Sequence, residues 1–106
     1  MKVTVITGSS RTASQSGKVA DWVLQRLQAL EPTGEVDEIS LEGSPLPFWN
    51  QDMWSEGTEI KSTWKPYGTK LSSSDAAVLV VPEWNGMPPG DVINLFHFCT
   101  NRELSY

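Results

Sequence analysis

A turn rich in hydroxyl groups and carrying an arginine follows the first apolar run of the sequence. The segment Gly8–Lys18 contains five Ser or Thr residues together with Arg11. The start of an α-helix has unpaired N–H groups and partial positive charge, so it attracts phosphate. Hydroxyls of Ser9, Ser14 and Ser16 can add donors, and the planar guanidinium can hold two oxygens. Because one serine suffices to cap a helix, the excess of donors predicts an anion site.

Three common motifs of phosphate chemistry do not fit this turn. A nucleoside-triphosphatase loop requires G-x-x-x-x-G-K-[ST], but Thr12 stands at its first glycine position and Val19 follows the lysine. A dinucleotide fingerprint requires G-x-G-x-x-G, and Ser10 occupies its second glycine position. A cysteine phosphatase needs a nucleophile that the turn lacks. A terminal monophosphate, such as that of FMN, remains.

A strand and a helix position the turn. Lys2–Thr7 is β-branched at five of its six positions, which favours a strand buried on both faces of a parallel sheet. After the turn, apolar residues recur at intervals of three and four up to Pro32, which predicts an amphipathic helix packed on the sheet. The residues of this apolar stripe are Val19, Ala20, Val23, Leu24, Leu27 and Leu30.

Two more strands are predicted. Residues 36–41 form a short, charged run that suits a sheet edge, and Ala76–Val81 is apolar throughout, which predicts a strand buried on both faces. Residues 43–67 are rich in Pro, Gly and Trp and predict a long loop that can include a helical turn, and a weak helix that overlaps the end of this loop is predicted over 61–73. Another helix is predicted over 91–99.

Alternating strands and helices imply right-handed crossovers and a parallel sheet. With the charged strand at the edge, the strand order is 2-1-3, which opens a doubly wound, flavodoxin-like, three-layer α/β fold. The ligand crevice of that topology lies between the carboxyl ends of strands one and three. Two loops meet there, Gly8–Gly17 and Pro82–Gly90.

Composition narrows the possible functions. The chain has 106 residues, enough for one domain, and a net charge of −5, which argues against nucleic-acid binding. It contains no apolar run near the roughly 18 residues of a membrane span, and its start lacks the pattern of a secretory signal. The single cysteine, Cys99, fits a reducing cytoplasmic setting.

Two motifs in this order resemble those of the NADPH-dependent FMN reductase family, whose flavodoxin-like members include quinone, azo-dye and chromate reductases. The first is Gly8-Ser9-x-Arg11-x-x-Ser14, and the second is Pro82-Glu83-Trp84-Asn85-Gly86. Pro89-Gly90, Asn94 and Pro45-Leu46-Pro47 also resemble family features. Trp84 stands where the family usually has tyrosine, which keeps an aromatic surface and removes a hydroxyl.

The resemblance implies a flavin cofactor and its binding residues. It assigns the FMN phosphate to Ser9, Arg11, Ser14, Gln15 and Ser16, and the edge of the isoalloxazine ring to Pro82, Glu83, Trp84, Asn85 and Gly86. NADPH or NADH would donate a hydride to the flavin, which would pass electrons to a small acceptor such as a quinone or a flavin. No residue is assigned to acid–base catalysis or to a metal. Glu83 could equally be a structural partner.

The sequence departs from the family in having three predicted strands where a flavodoxin-like sheet has five. We therefore expect 1–106 to be the N-terminal portion of the fold, with strands four and five missing. Such a chain should bind FMN weakly and form homo-oligomers. Two other functions stay open: an electron carrier that holds FMN without oxidising nicotinamide, and a non-catalytic interaction domain.

Overall fold

The computed structural model describes residues 1–99 and contains a parallel sheet with helices on both faces. Its order is β2-β1-β3, with β1 in the centre. The strands are β1 (Lys2–Thr7), β2 (Glu35–Ser40) and β3 (Ala76–Val80). This arrangement confirms the predicted order and the three-layer α/β class.

Helices cover the two faces unequally. One face carries α1 alone, and the other carries α2 and α3, which share a buried apolar cluster with Ile6 of β1 and Ile39 of β2. The helices are α1 (Gln15–Leu30), α2 (Glu59–Ser72) and α3 (Gly90–Phe98), with a short 3₁₀ helix at Gln51–Trp54. None of the helices in this part of the chain is both long and apolar enough to cross a membrane.

Two sets of contacts fix the positions of α2 and α3. Lys70 of α2 donates from its Nζ to the backbone carbonyl of Glu38 at 2.8 Å, which places α2 beside β2. Trp64 of α2 stacks on Phe98 of α3, with ring centroids 5.0 Å apart. Consequently α2 lies towards β2, and α3 lies on the side of β3.

The predicted loop over 43–67 is partly wrong, because α2 already begins at Glu59. The weak helix predicted over 61–73 is confirmed as α2, which begins two residues earlier and contains Pro66. Ile60 and Trp64 are buried one turn apart on the core face of α2. Burial of this face outweighs the helix-breaking tendency of one proline, as tertiary packing commonly does.

The two sheet edges differ in charge, and one prediction fails there. Edge strand β2 is charged as predicted. The carboxylate oxygens of Asp37 lie 3.8 Å from Nζ of Lys2 and 3.5 Å from Nζ of Lys70. The prediction that Ala76–Val81 is buried on both faces is wrong, because β3 is the opposite edge of the sheet and Leu79 is 36% exposed. Full burial of an apolar strand needs a neighbour on each side, and β3 has a described neighbour only on one.

Candidate functional site

Gly8 ends β1 at a point where a side chain does not fit. Its N–H donates to the carbonyl of Val80 at 2.8 Å. An added Cβ would lie 2.9 Å from Cγ2 of Val92 and 3.0 Å from that carbonyl oxygen. The carbonyl of Ser10 accepts from the N–H of Gly43 at 2.9 Å. The turn after β1 is therefore held by β3 on one side and by the segment after β2 on the other.

Two of the predicted serines shape the turn from within. Ser9 is buried, and its Oγ accepts from the N–H of Arg11 at 3.2 Å. Ser14 is buried at the N-cap of α1, and its Oγ accepts from the N–H of Gly17 at 2.9 Å. Each hydroxyl accepts a bond in this arrangement and still has its own proton to donate. Ser9 and Ser14 can thus fix the backbone and also contact an anion.

The first two amides of α1 lack acceptors. The N–H groups of Gly17 and Lys18 bond to Ser14, whereas those of Gln15 and Ser16 have no partner among residues 1–99. Ala13, directly before the cap, has φ of 50°, a left-handed conformation that costs an alanine about 1–2 kcal/mol. The two unpaired amides thus lie at the start of a long helix, directly after a strained turn. This arrangement fits a phosphate group, whose oxygens would accept from the amides.

Arg11 is exposed, and its guanidinium makes no ion pair within the described part of the chain. It lines a groove of about 400 Å³ between the first half of α1 and the end of β2. Lys18 adds a second cation to the groove, and its carboxylates come from Asp21, Glu38 and Glu42. Arg11 is therefore available to bind an oxyanion. On the β2 side of the groove, Glu38 and Glu42 form an acidic wall.

The sequence analysis did not predict this acidic wall. Glu38 was interpreted only as an edge charge, although Glu38 and Ser40 lie two residues apart and so share one face of β2. Their register with Val5 and Thr7 of β1 places them on the face of α1. The two-residue spacing at the carboxyl end of the strand was the available signal.

The second loop closes on itself. Asn85 and Gly86 have φ of 55° and 77°, the two left-handed residues of a type I′ turn. Across this turn, the N–H of Trp84 donates to the carbonyl of Met87 at 2.9 Å, and the N–H of Met87 donates to the carbonyl of Trp84 at 3.1 Å. The carboxylate of Glu83 accepts from the N–H of Gly86, so this side chain stabilises the turn. Trp84 is half-buried, while the two turn residues are exposed.

Asn94 of α3 forms hydrogen bonds with a third segment, the loop after β2 that contains Pro47 and Trp49. Its Oδ1 accepts from the N–H of Trp49 at 2.8 Å, and its Nδ2 donates to the carbonyl of Pro47 at 2.8 Å. The Pro45–Pro47 segment and Asn94, separate features in the sequence, therefore hold each other. The first and second loops both leave the carboxyl ends of neighbouring strands, β1 and β3, as predicted. Their roles in binding a flavin stay predictions.

The chain is similar in sequence and in fold to known reductases and oxidoreductases. A quinone reductase of Pseudomonas putida is 35% identical over 92 residues, which are 87% of this chain and 46% of that protein. The flavoenzyme FerB of Paracoccus denitrificans, an NAD(P)H:(acceptor) oxidoreductase, superposes with a TM-score of 0.69 at 27% identity, covering 92% of this chain and 49% of FerB. An azoreductase of Bacillus anthracis has a TM-score of 0.71 at 22% identity, over 92% and 54% of the two chains, and supports the fold alone.

The chain spans about half the length of these relatives. The family model for NADPH-dependent FMN reductase nevertheless matches residues 1–106. This match confirms the resemblance seen in the two loop motifs and, at the level of the family, the prediction of FMN with a nicotinamide donor. The chain belongs to the NADPH-dependent FMN reductase family.

Proposed function

We propose that the chain is the FMN-holding, N-terminal portion of an NAD(P)H-dependent oxidoreductase, over residues 1–106. The observation that carries this proposal is the unsatisfied donor set after β1. The amides of Gln15 and Ser16 and the guanidinium of Arg11 have no acceptor among residues 1–99. A terminal phosphate would satisfy all three groups, with the hydroxyls of Ser9 and Ser14 as further donors.

The second loop would border the flavin ring. Bound FMN supplies hydride acceptance and electron donation, which amino-acid side chains do not provide. The turn at Asn85–Gly86 fixes the backbone of this loop, and Glu83 keeps that turn closed. Pro82 and Trp84 are both half-buried, so each leaves part of its surface for a ring to contact. The protein's contribution is thus orientation and shielding, with no side chain acting as acid or base.

The acceptor would be a small molecule such as a quinone or a flavin. Support comes from the matched quinone reductase, an enzyme of that substrate class by name. NADPH or NADH would be the hydride donor. We also propose a cytoplasmic location, which the single cysteine favours, and a homo-oligomeric state.

The visible spectrum of the purified chain, with and without added FMN, tests the proposal. Since weak binding is expected, the spectra are compared across an equilibrium-dialysis membrane, where a flavin-binding chain raises the FMN absorbance on its own side. Anaerobic stopped-flow mixing with NADPH, and separately with NADH, then bleaches the flavin of a reductase. Retained flavin that stays oxidised identifies an electron carrier instead. Equal FMN absorbance on the two sides of the membrane refutes the flavoprotein proposal and leaves a non-catalytic interaction domain.

A further inference from the structure

The groove between α1 and β2 continues beyond the phosphate turn. Its volume of about 400 Å³ lies within the range of roughly 300–1,000 Å³ that small-ligand sites occupy. Ala13, Ser14 and Gly17 line it at the turn, and Glu38 and Ser40 line it at the end of β2. Because β1 is the central strand, the groove and the second loop, which follows β3, lie on opposite sides of the turn. A ligand in the groove would therefore extend from the turn in the direction away from the second loop.

Thr7, the last residue of β1, has an unused hydroxyl in this groove. Its side chain lies on the face of α1, since the neighbouring Ile6 belongs to the apolar cluster on the other face. Thr7 is only 9% exposed, and its hydroxyl has no hydrogen-bond partner among residues 1–99. Every fully buried side-chain oxygen or nitrogen in this part of the chain has a partner, so the Thr7 hydroxyl opens into the groove that it lines. It can pair there with a polar atom of a ligand.

Gly17 leaves room for a ligand on the α1 wall of the groove. It lies in the first turn of α1, where glycine is less favourable than alanine. An added Cβ would lie 3.3 Å from Oγ of Ser14, the group that caps the helix. Ser14, Gly17 and Asp21 are spaced by three and four residues and therefore share the face of α1 that is turned to the groove. The missing side chain thus lets a ligand approach the backbone of the first helical turn.

The charges of the groove are unevenly distributed along it. The cations Arg11 and Lys18 come from the turn and from the first turn of α1, whereas Glu38 and Glu42 form the acidic wall on the β2 side. Asp21 adds a third carboxylate in the second turn of α1. None of these five groups takes part in an ion pair within residues 1–99. Cations bind phosphate and carboxylates accept from hydroxyl groups, so the groove suits a ligand with phosphates at one end and hydroxyl donors at the other.

Nucleotides carry their groups in this order. In dinucleotide-binding α/β proteins the pyrophosphate lies at a helix start, and an acidic side chain farther along the chain holds the ribose hydroxyls. Glu38, on the strand that follows α1, is in a position to play that part here. The G-x-G-x-x-G fingerprint is absent, so hydroxyl groups and Arg11 would replace its glycine amides.

We propose that the groove binds the adenosine monophosphate half of FAD, so that the chain accepts FAD as well as FMN. The inference rests on the proposed flavin site, because the flavin phosphate would occupy the turn. Arg11 and Lys18 would bind the second phosphate, and Glu38 would accept from the ribose hydroxyls. The hydroxyl of Thr7 would donate to an oxygen between these two points. A 2′-phosphate on the ribose, as in NADPH, would be repelled by the acidic wall.

Equilibrium dialysis against FAD and, separately, against FMN tests the proposal. We expect FAD to bind at least about fivefold more tightly than FMN, because its second phosphate and its ribose add charge-assisted hydrogen bonds. Glu38→Ala should remove most of this preference and leave the affinity for FMN unchanged. Glu35→Ala is the matched control, because it removes the same side chain at the opposite end of the same strand, and it should keep the preference. Equal affinities of the unsubstituted chain for FAD and FMN, or an unchanged preference in Glu38→Ala, would overturn the inference.

Calorimetric titration with ADP tests the groove without a flavin. ADP contains the adenosine half of FAD and carries its second phosphate where FAD has the flavin phosphate. We expect ADP to bind, and 2′-deoxy-ADP to bind about 2- to 10-fold more weakly because it lacks one hydroxyl for Glu38. No binding of ADP, or equal binding of the two nucleotides, would contradict the inference. Binding of ADP by a chain that holds FAD no more tightly than FMN would assign the groove to another adenine nucleotide and refute the assignment to FAD.

The same titrations separate this inference from the proposed function. If FMN binds more tightly than riboflavin while FAD gains nothing over FMN, only the inference about the groove fails. If neither FMN nor FAD binds, the proposed flavin site fails as well.

Discussion

The two loops at the carboxyl end of the sheet are held in opposite ways. The first loop is fixed from outside, by the bond from Gly8 to β3 and the bond between Ser10 and Gly43. The second loop is fixed from inside, by the type I′ turn that Trp84 and Met87 close.

This difference separates what the loops can offer a ligand. The first loop leaves the amides of Gln15 and Ser16 unpaired at a helix start, which suits an anion. In the second loop, the Glu83 carboxylate accepts a hydrogen bond from the Gly86 N–H, so these two groups are already paired. This loop presents the aromatic side chain of Trp84, which suits a ring. We therefore expect substitutions in the first loop to alter the affinity for the FMN phosphate. Substitutions in the second loop should leave the ratio of FMN to riboflavin affinity unchanged.

The largest effect on affinity is expected for Arg11→Ala. Hydrogen bonds to charged groups contribute about 1.5–3 kcal/mol, so the affinity for FMN should fall by about 10- to 100-fold. Quenching of flavin fluorescence during a titration measures it. Arg26→Ala is the control, because Arg26 is an exposed arginine on α1 away from the turn, and this variant should leave the affinity unchanged. Equal losses in both variants would mean that the effect is general electrostatics.

A second large effect concerns the stability of the first loop. Gly8→Ala places a Cβ within 3.0 Å of both Val92 and the Val80 carbonyl, and should lower the free energy of unfolding by about 1–3 kcal/mol. Urea denaturation measures this change. Gly90→Ala is the matched control, because its added Cβ meets nothing within 4 Å. If Gly8→Ala is as stable as Gly90→Ala, the loop is not held from outside as described.

In the second loop, Gly86→Ala tests local closure. Its φ of 77° should make alanine cost about 1–2 kcal/mol, although no atom lies closer than 4.0 Å to the added Cβ. The ratio of FMN to riboflavin affinity should not change, because we expect this loop to border the flavin ring and not the phosphate. A changed ratio would show that the two loops are not independent.

The smallest effect separates the two roles of Ser14. Ser14→Ala removes the cap of α1 and should lower the free energy of unfolding by about 1 kcal/mol. Ser14→Asp keeps a capping oxygen and adds a negative charge, so it should retain stability and lose FMN affinity. Thermal denaturation and FMN titration of both variants measure this split. Equal FMN affinity in Ser14→Asp and the unsubstituted chain would place the phosphate away from the cap.

Local sequence patterns predicted the parts of the fold that depend on few partners. The β-branched run Lys2–Thr7 is β1 with the predicted ends, and the polar run after it is the turn before α1. Partners far along the chain determined the rest. The exposure of Val19 and Leu79 depends on what lies beside β3, and no local pattern contains that information.

The candidate site shows the same limit. Serines and Arg11 could be selected by residue type, whereas the unpaired state of the Gln15 and Ser16 amides follows from the bonds that Ser14 makes. The position of Glu38 beside the groove required the register of β2 against β1. The bond between Glu83 and Gly86 required the turn conformation.

Paired titrations of the chain with FMN and with riboflavin test the central claim most directly, since the two ligands differ by the terminal phosphate. If the turn after β1 binds that phosphate, FMN should bind at least about tenfold more tightly than riboflavin, as expected for charge-assisted hydrogen bonds. Arg11→Ala should bring the two affinities together. Equal affinities of the unsubstituted chain for both flavins, or no binding of FMN, would contradict the account.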